Sequence, residues 1–318
     1  MDIKELYEPV KEGLERVNLK IREIFKESYL PKVDERLLEG KRLRPLLVLY
    51  SSLAFKELSE EKVNVACAVE LIHFASLIHD DVVDGAKERR KTFTLNYHYG
   101  NRIAVLLGDF VFSKAIEFLS KVKNPYLFEI LSRTSIEMCE GEIIDEFLER
   151  EKRFDLEEYL TLIEKKTASL FSACCEMGAL LSGSLDLISM RNFGLKFGVI
   201  FQILDDLYDF YNEGEDIKRS KITLPHILYK DLIKERFPRF FKENNVSLSR
   251  KVRVFLIKNG ALEKCYNFID TYFNELKDIT TRFDKIIRDY LYSFVEYLEK
   301  NRINLFEEKK MGSIPKIF

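Results

Sequence analysis

The chain is poor in the residues that interrupt helices. Glycine supplies 13 of its 318 residues and proline 7, against usual shares in globular proteins of about 7% and 5%. A fold built from many short strands needs frequent turns, so this scarcity disfavours such a fold. Few breakers instead favour long helices joined by short loops.

Paired cysteines and an excess of one charge are also missing. The five cysteines are odd in number and show no paired metal-ligand spacing, which favours reduced core thiols over a disulfide framework. The 51 basic and 53 acidic residues are interspersed and leave a net charge of −2, so the sequence shows no nucleic-acid footprint. The net charge does not exclude a phosphorylated substrate, because binding of such a substrate depends on local charge. The cysteines are Cys67, Cys139, Cys174, Cys175 and Cys265.

A membrane or export signal is missing from the sequence as well. Residues 1–5 contain no apolar signal segment, and no run reaches the ~18 uncharged apolar residues that a membrane span needs. We therefore expect a cytoplasmic protein with at most peripheral membrane contact.

Apolar residues recur at spacings of three and four through most of the chain, as in amphipathic helices. The breaks between periodic segments are too short for an interdomain linker. The sequence therefore predicts an all-α protein with one domain over 1–318, in which 310–318 form a loose tail. The clearest periodic segments are 7–24, 45–55, 63–84, 102–119, 126–147, 156–181 and 195–209, with weaker ones over 224–299.

Two aspartate pentads are the sharpest feature of the sequence. Asp-Asp-Val-Val-Asp occupies 80–84 and Asp-Asp-Leu-Tyr-Asp occupies 205–209, each after a strongly apolar stretch. Residues four apart share a helix face, so Asp80 lies beside Asp84 and Asp205 beside Asp209.

Carboxylates placed in this way favour a bound cation. Like charges at this spacing repel, and the dipole at a helix C-terminus disfavours each anion by roughly 0.3–1 kcal/mol. A cation reverses both effects, and hard carboxylate oxygens suit Mg²⁺, which often bridges to phosphate. The alternative is a pair of solvated helix ends, but two copies of the pattern favour a metal site.

Four short basic segments offer partners for phosphate, because Arg and Lys bind phosphate oxygens. Each segment alone is typical of a solvated face. Together with the pentads they indicate a cavity for two diphosphates, one held through metal and the other directly by Lys and Arg. The segments are 40–45, 89–90, 165–167 and 221–225.

These motifs resemble those of the trans-isoprenyl diphosphate synthase (polyprenyl synthetase) family over about residues 5–300. The resemblance rests on both pentads, Gly-Lys-Arg-x-Arg-Pro at 40–45, Arg-Arg at 89–90, Lys-Thr at 166–167 and Phe-Gln at 201–202. It implies a bundle of about a dozen helices around a central cavity, usually as a homodimer. It also implies condensation of isopentenyl diphosphate with an allylic diphosphate, either farnesyl or geranylgeranyl.

The resemblance also implies roles for individual residues. About three Mg²⁺ ions would hold the allylic diphosphate through Asp80, Asp84 and Asp205, with support from Asp81 and Asp209. The same diphosphate would contact Arg89, Lys166 and Lys221. Isopentenyl diphosphate would be bound by Lys41, Arg44, His73 and Arg90, and the reacting carbons would be lined by Thr167 and Gln202. The alternative for His73 is a histidine that is simply packed.

The chain departs from the family pattern around the second pentad and after 89–90. The loop after Asp209 is shortened and lacks a Gly-Lys pair, so one cation of the family pattern is missing, and Ser220 stands where the family has Gly. Lys-Thr-Phe-Thr at 91–94 replaces Gly-x-Pro-Thr. These changes put the lid expected over the site in question. They predict either a lower turnover or replacement of the missing cation by Lys218 or Arg219, and they leave the metal ligands in place.

Small residues one turn before the first pentad predict a long product. The resemblance implies that bulky aromatics there block the channel, whereas this chain has Ala75 and Ser76. We therefore expect a hexaprenyl to octaprenyl diphosphate. The alternative is that both residues only allow close helix packing, and that the product is farnesyl or geranylgeranyl diphosphate.

Two other functions share part of the pattern. A terpene cyclase of the same helical class usually has one aspartate-rich motif and a different second metal site, so the second pentad argues against it. A non-catalytic subunit of a heteromeric synthase typically loses its aspartate motifs, and this chain keeps both.

Overall fold

The computed structural model describes residues 1–26, 30–53, 58–151, 155–184, 186–212, 221–243 and 245–311. The predictions for Lys218, Arg219 and Ser220, and for the end of the tail at 312–318, lie outside these ranges.

Helices form nearly all of the regular structure, which confirms the predicted all-α class. A 3₁₀ turn, Glu8–Val10, follows the first helix, and a π-helical turn, Glu164–Ala168, precedes the tenth. The helices are α1 Ile3–Tyr7, α2 Lys11–Ile24, α3 Glu35–Leu38, α4 Leu43–Leu53, α5 Glu60–Val83, α6 Leu95–Tyr99, α7 Asn101–Ser120, α8 Tyr126–Glu151, α9 Leu156–Ile163, α10 Ser169–Ser182, α11 Leu187–Asn212, α12 Leu224–Leu228, α13 Lys230–Arg236, α14 Val246–Lys258, α15 Ala261–Thr280 and α16 Lys285–Met311.

Local sequence sets both ends of α5, the helix that carries the first pentad. Ser59 caps its N-terminus by accepting a hydrogen bond from the Lys62 N–H, and two glutamates follow in the first turn, where the helix dipole favours anions. Asp84 is the C-cap residue, and Gly85 follows in the left-handed region at φ +60°. The helix therefore ends inside the pentad.

A short hairpin follows the first pentad and was not predicted from the sequence. Strand β1, Glu88–Arg89, pairs antiparallel with β2, Thr92–Phe93, with Arg89 opposite Thr92. The turn residues Arg90 and Lys91 both have positive φ, 51° and 60°. Two strands of two residues are too short for an alternating pattern to appear in the sequence.

The chain divides into two compact units. The N-terminal unit contains Asp2–Ser132 and Ala173–Arg191, and the C-terminal unit contains Met1, Arg133–Ser172 and Asn192–Phe318. The single-domain organisation over 1–318 stays a prediction.

The core of the N-terminal unit forms around α5, which packs against α2, α4 and α7. Because α5 has neighbours on several sides, it is apolar around most of its circumference, as a central helix should be. Gly108 lets α7 approach closely, since a Cβ there would lie 2.2 Å from the His79 ring.

The core of the C-terminal unit contains a cluster of phenylalanines. The Phe197 ring lies 5.2 Å from Phe171 and 5.8 Å from Phe294, both in edge-to-face geometry, and all three side chains are fully buried. Two glycines bring α11 against α10 and the π turn. A Cβ at Gly194 would lie 2.4 Å from the Phe171 carbonyl oxygen, and one at Gly198 would lie 2.5 Å from the Ala168 Cα.

Within the residues that the structure describes, two helices, α5 and α11, are long and apolar enough to cross a membrane by length and composition alone. In their most apolar windows, 67% and 56% of the residues are buried inside the structure. This burial is typical of core helices, which pass the same test.

The prediction of core thiols is correct for four of the five cysteines. Cys67, Cys174, Cys175 and Cys265 are buried and unbridged, and burial raises the pKa of both Cys67 and Cys175 to about 12. The prediction is wrong for Cys139, which is exposed because it lies on the outward face of α8 that also carries Ile136 and Ile143.

Candidate active site

The first pentad divides its carboxylates between two environments. Asp80 is partly buried and Asp84 is exposed, whereas Asp81 is only 5% exposed. The Asp84 N–H donates to the Asp80 carbonyl at 2.8 Å, so these two residues are one helical turn apart on one face. The outer aspartates therefore form the pair that the sequence predicted.

Asp81 is held by Arg89 of the hairpin. The Arg89 Nε and Nη2 atoms each lie 2.9 Å from the Asp81 Oδ1 atom, and the Asn96 amide donates to the Asp81 backbone carbonyl at 2.9 Å. Burial raises the pKa of Asp81, and the charge of Arg89 acts against that rise. Asp81 thus fixes the position of a predicted diphosphate-binding arginine.

In the basic segment 40–45, the Arg42 side chain is bound by side chains of the protein. Arg42 adopts positive φ, 50°; its Nε donates to Asn18 at 2.8 Å, and its Nη1 donates to Glu70 of α5 at 2.5 Å. The Tyr7 hydroxyl donates to the Lys41 carbonyl at 2.9 Å. These bonds fix the backbone on both sides of Lys41.

His73 and Arg90 meet at a small cavity in the N-terminal unit. They line about 10 Å³ of space together with the Arg42–Glu70 pair, and the Arg90 Nη1 donates to the Leu37 carbonyl at 2.7 Å. Burial first, and then the charges of Arg44 and Arg90, hold the pKa of His73 well below its ordinary value. His73 is therefore neutral at pH 7 and lies among the predicted isopentenyl diphosphate ligands.

The second pentad, in the C-terminal unit, shows the same division as the first. Asp205 and Asp209 are partly buried and one turn apart on α11, whereas Asp206 is 7% exposed. Asp206 accepts hydrogen bonds at 2.7 Å from both the Gln202 amide and the Tyr159 hydroxyl. The Thr167 hydroxyl donates to the Gln202 Oε1 atom at 2.8 Å.

Lys166 and Thr167 lie in the π turn between α9 and α10. Such turns interrupt an α-helix and often mark functional positions. Gly141 of α8 allows the close approach there, since a Cβ at Gly141 would lie 2.4 Å from the Lys166 backbone nitrogen.

Two predicted diphosphate-binding lysines converge on one buried carboxylate. Asp145 Oδ2 accepts from the Lys166 Nζ at 2.7 Å and from the Lys221 Nζ at 3.0 Å, and Glu142 lies 2.6 Å from Lys166. Burial alone would raise the pKa of Asp145, but the charges of Lys221 and Lys166 outweigh it and hold that pKa below its ordinary value. Burial would likewise lower the pKa of Lys166, but the anions around it raise that pKa, so the lysine stays charged.

Sequence reasoning missed Asp145, Tyr159 and Asp206 as parts of this site. A signal for Asp145 exists, because it lies three residues after Glu142 and therefore on the same face of α8. Nothing local marks Tyr159, which sits in an ordinary apolar helix pattern.

The outer aspartates fit Mg²⁺ by their chemistry. Across the ranges that the structure describes, no three His, Cys, Asp or Glu side chains form a ready metal cage. Mg²⁺ does not require one, because it commonly binds one or two carboxylates and completes its shell with water and substrate phosphates. The roles of these aspartates as metal ligands stay predictions.

Replacing Asp145 by Asn should reduce stability in a pH-dependent way. Because its pKa is lowered in the folded protein, its contribution is present above the unfolded pKa of about 3.9 and is lost as the pH falls through the lower folded value. We expect Asp145→Asn to lower the free energy of unfolding by about 1–3 kcal/mol at pH 7, with the difference narrowing below about pH 4.

Urea unfolding of both proteins across this pH range measures the effect. The control is Asp278→Asn, which changes an exposed aspartate of α15 and should leave stability unchanged at every pH. A difference that stays constant down to pH 3 would contradict the ion-pair explanation.

Comparison with known proteins agrees with this site. The polyprenyl synthetase family model matches residues 27–245, a span that includes every residue predicted here to bind metal or substrate. The family resemblance stated from the motifs is therefore confirmed.

Individual relatives extend the match over most of the chain. A heptaprenyl diphosphate synthase component 2 from Geobacillus stearothermophilus is 33% identical over 293 residues, which cover 86% of this chain and 91% of the relative. A geranylgeranyl diphosphate synthase from Methanosarcina mazei is 36% identical over 200 residues, or 58% of this chain and 62% of the relative.

A solved structure of a decaprenyl diphosphate synthase from Rhodobacter capsulatus has a TM-score of 0.86 at 28% identity. The match covers 94% of this chain and 98% of that one. With a family model over most of its length and a relative above 30% identity along nearly all of it, this protein belongs to the polyprenyl synthetase family.

Proposed function

We propose that this protein is a Mg²⁺-dependent prenyl diphosphate synthase that condenses isopentenyl diphosphate with an allylic diphosphate to a trans-polyprenyl diphosphate. The observation that carries the proposal is common to both pentads. The outer two carboxylates share one helix face outside the core, while the middle one is buried and bound by protein donors. Such pairs suit a hydrated Mg²⁺ that also binds phosphate oxygens.

The allylic diphosphate is assigned to the metal-binding aspartates and three cations. About three Mg²⁺ ions would be held by Asp80, Asp84 and Asp205, with Asp81 and Asp209 in support, and would supply positive charge to the leaving diphosphate. Arg89, Lys166 and Lys221 add direct contacts. Each of these cations already has a carboxylate partner, Asp81 or Asp145, which holds it in place before the substrate binds.

Isopentenyl diphosphate is assigned to Lys41, Arg44, His73 and Arg90. The lowered pKa of His73 means that it meets this substrate as a neutral hydrogen-bond donor. Three cations and one neutral donor suit a diphosphate that must stay bound while its alkene reacts.

The chemistry follows from charge placement. Breaking the allylic C–O bond produces a carbocation and a diphosphate, and positive groups stabilise the charge that develops on the leaving diphosphate. The alkene of isopentenyl diphosphate, held beside the cation, attacks it and forms the new C–C bond. The released diphosphate takes the proton that is lost in the last step. Exclusion of water prevents the cation from being quenched.

The product is proposed to be a hexaprenyl to octaprenyl diphosphate. Ala75 is buried, and Ser76 is partly buried with its hydroxyl donating to the His73 carbonyl at 2.9 Å. Neither side chain is large enough to fill a channel. A geranylgeranyl or farnesyl product is the alternative, in which these residues serve only helix packing.

A second candidate follows from the name of one relative. The Geobacillus stearothermophilus protein is called component 2 of its synthase, which favours a chain that works together with another one. Because this chain keeps both pentads, it would then be the catalytic component. The terpene cyclase alternative gains no support from these relatives, which are named as diphosphate synthases.

A homodimer in the cytoplasm is proposed as the working form. Helix α7 carries exposed apolar side chains along its length, with Leu106 64% and Val105 41% exposed. Such a stripe is typical of a surface that another protein covers.

Elongation is the direct test of the proposed function. Purified protein with Mg²⁺, farnesyl diphosphate and labelled isopentenyl diphosphate should give a ladder of products that ends at hexaprenyl to octaprenyl chains. Asp80→Ala and omission of the metal should each lower incorporation by about a hundredfold or more, because charge on the leaving group is no longer stabilised. Asp278→Ala, at an exposed aspartate of α15, is the matched control.

Other outcomes of this assay point elsewhere. Activity that appears only when a second chain is added would show that this protein is the catalytic component of a two-chain synthase. Conversion of farnesyl diphosphate without isopentenyl diphosphate would identify a cyclase. No product under any of these conditions would refute the proposal.

Ser76→Phe should shorten the product by at least one isoprene unit, because a phenyl ring in place of the small hydroxymethyl group would narrow the proposed channel. Ser76 suits this test better than Ala75, since a Phe at the fully buried position would overpack the core. Chromatography of the dephosphorylated products measures their length. The control is Ser76→Ala, which removes the hydroxyl but keeps a side chain about as small as serine. Unchanged products in Ser76→Phe would leave the channel argument without support.

Light scattering tests the dimer. The wild type should show twice the 37.5 kDa mass of one chain, and Leu106→Glu should shift the mass toward the monomer because it places a charge in the covered stripe. Ile303→Glu, at an exposed position of α16, should not. A monomeric wild type would exclude the dimer.

A further inference from the structure

Four side chains of the C-terminal unit form one chain of hydrogen bonds. The Tyr159 hydroxyl donates to Asp206 Oδ2 at 2.7 Å, and the Gln202 Nε2 donates to Asp206 Oδ1 at 2.7 Å. The Thr167 hydroxyl then donates to Gln202 Oε1 at 2.8 Å. All four line a cavity of about 60 Å³ that Lys166 also lines.

The hydrogen bonds run in one fixed direction, which Asp206 sets. Carboxylate oxygens only accept hydrogen bonds, so the Gln202 amide must turn its NH₂ group toward Asp206 and its carbonyl toward Thr167. That carbonyl accepts the Thr167 hydroxyl proton. The Thr167 oxygen is therefore left with lone pairs alone for any further contact.

Burial makes this direction costly to change. Tyr159 is 4% and Asp206 is 7% exposed, and a buried group that loses its partner costs the full desolvation of that group. The backbone at Thr167 is also fixed, because Gly141 and Gly198 bring α8 and α11 against the π turn. The donor chain and the turn thus define the position of one hydroxyl.

We infer that Asp206 and Tyr159 are positioning residues for the condensation, which turn Thr167 so that it offers only lone pairs toward the reacting carbons. The inference rests on the proposed function. A carbocation forms in that reaction, and an oxygen lone pair stabilises it whereas an O–H directed at it would not. Asp206 accordingly has a different task from Asp205 and Asp209, although it belongs to the same pentad.

Tyr159→Phe tests the inference with the smallest change. The variant removes one oxygen atom and should lower kcat about tenfold, because the amide and hydroxyl of the chain lose their fixed orientation. The KM values of both diphosphates and the Mg²⁺ concentration for half-maximal activity should stay within about twofold, since binding groups are unchanged. The control is Tyr266→Phe, which should leave kcat unchanged. Tyr266 is also a buried residue, 6% exposed, and its hydroxyl donates to the Arg302 carbonyl at 3.0 Å.

A second pair of variants separates positioning from metal binding. Asp206→Asn should lower kcat without raising the Mg²⁺ requirement, whereas Asp205→Asn should raise that requirement about tenfold or more. The Tyr159→Phe/Asp206→Asn double variant should lose little more than the worse single variant, because both changes break one chain.

The results of these assays distinguish a failure of the inference from a failure of the proposed function. Unchanged kcat in Tyr159→Phe, an equal loss in Tyr266→Phe, or a Mg²⁺ requirement in Asp206→Asn that rises as in Asp205→Asn would overturn the inference and leave the synthase intact. Absence of elongation by the wild type would overturn the proposed function and, with it, the inference.

Discussion

The division of each pentad between buried and partly exposed carboxylates is the constraint on which the rest of the candidate site depends. Three carboxylates within five residues repel one another, and burying one of them requires protein donors. Asp81 is satisfied by Arg89, and Asp206 by Tyr159 and Gln202. The same contacts that make burial of the middle aspartate tolerable also orient the side chains proposed to act on substrate.

The two lysines of the candidate site are likewise paired with a buried carboxylate. Lys166 and Lys221 come from different elements, and two ammonium groups brought together would repel. Asp145, buried and bonded to both, offsets that repulsion and helps to raise the pKa of Lys166. Both lysines are therefore already close together before a diphosphate binds. This preorganisation reduces the entropic cost of ordering them on binding.

Within the basic segment 40–45, Arg42 has a structural role. Arg42 is engaged by Glu70 and Asn18, at a positive φ that non-glycine residues seldom adopt. Strain of this kind persists where surrounding contacts over-determine it and is common at functional sites. Here it sets the backbone from which Lys41 and Arg44 extend.

The sequence by itself determined the all-α class, the helix face shared by the outer aspartates and the family. Each of these depends on periodicity or on residues within a few positions of one another. Only the tertiary structure decided that Asp206 faces Tyr159, 47 residues away, and that Lys221 and Lys166 share Asp145, which lies 76 and 21 residues from them. It also placed Cys139 outside the core. Such pairings depend on which helix faces pack together and on glycines that permit close approach, and neither leaves a local pattern in the chain.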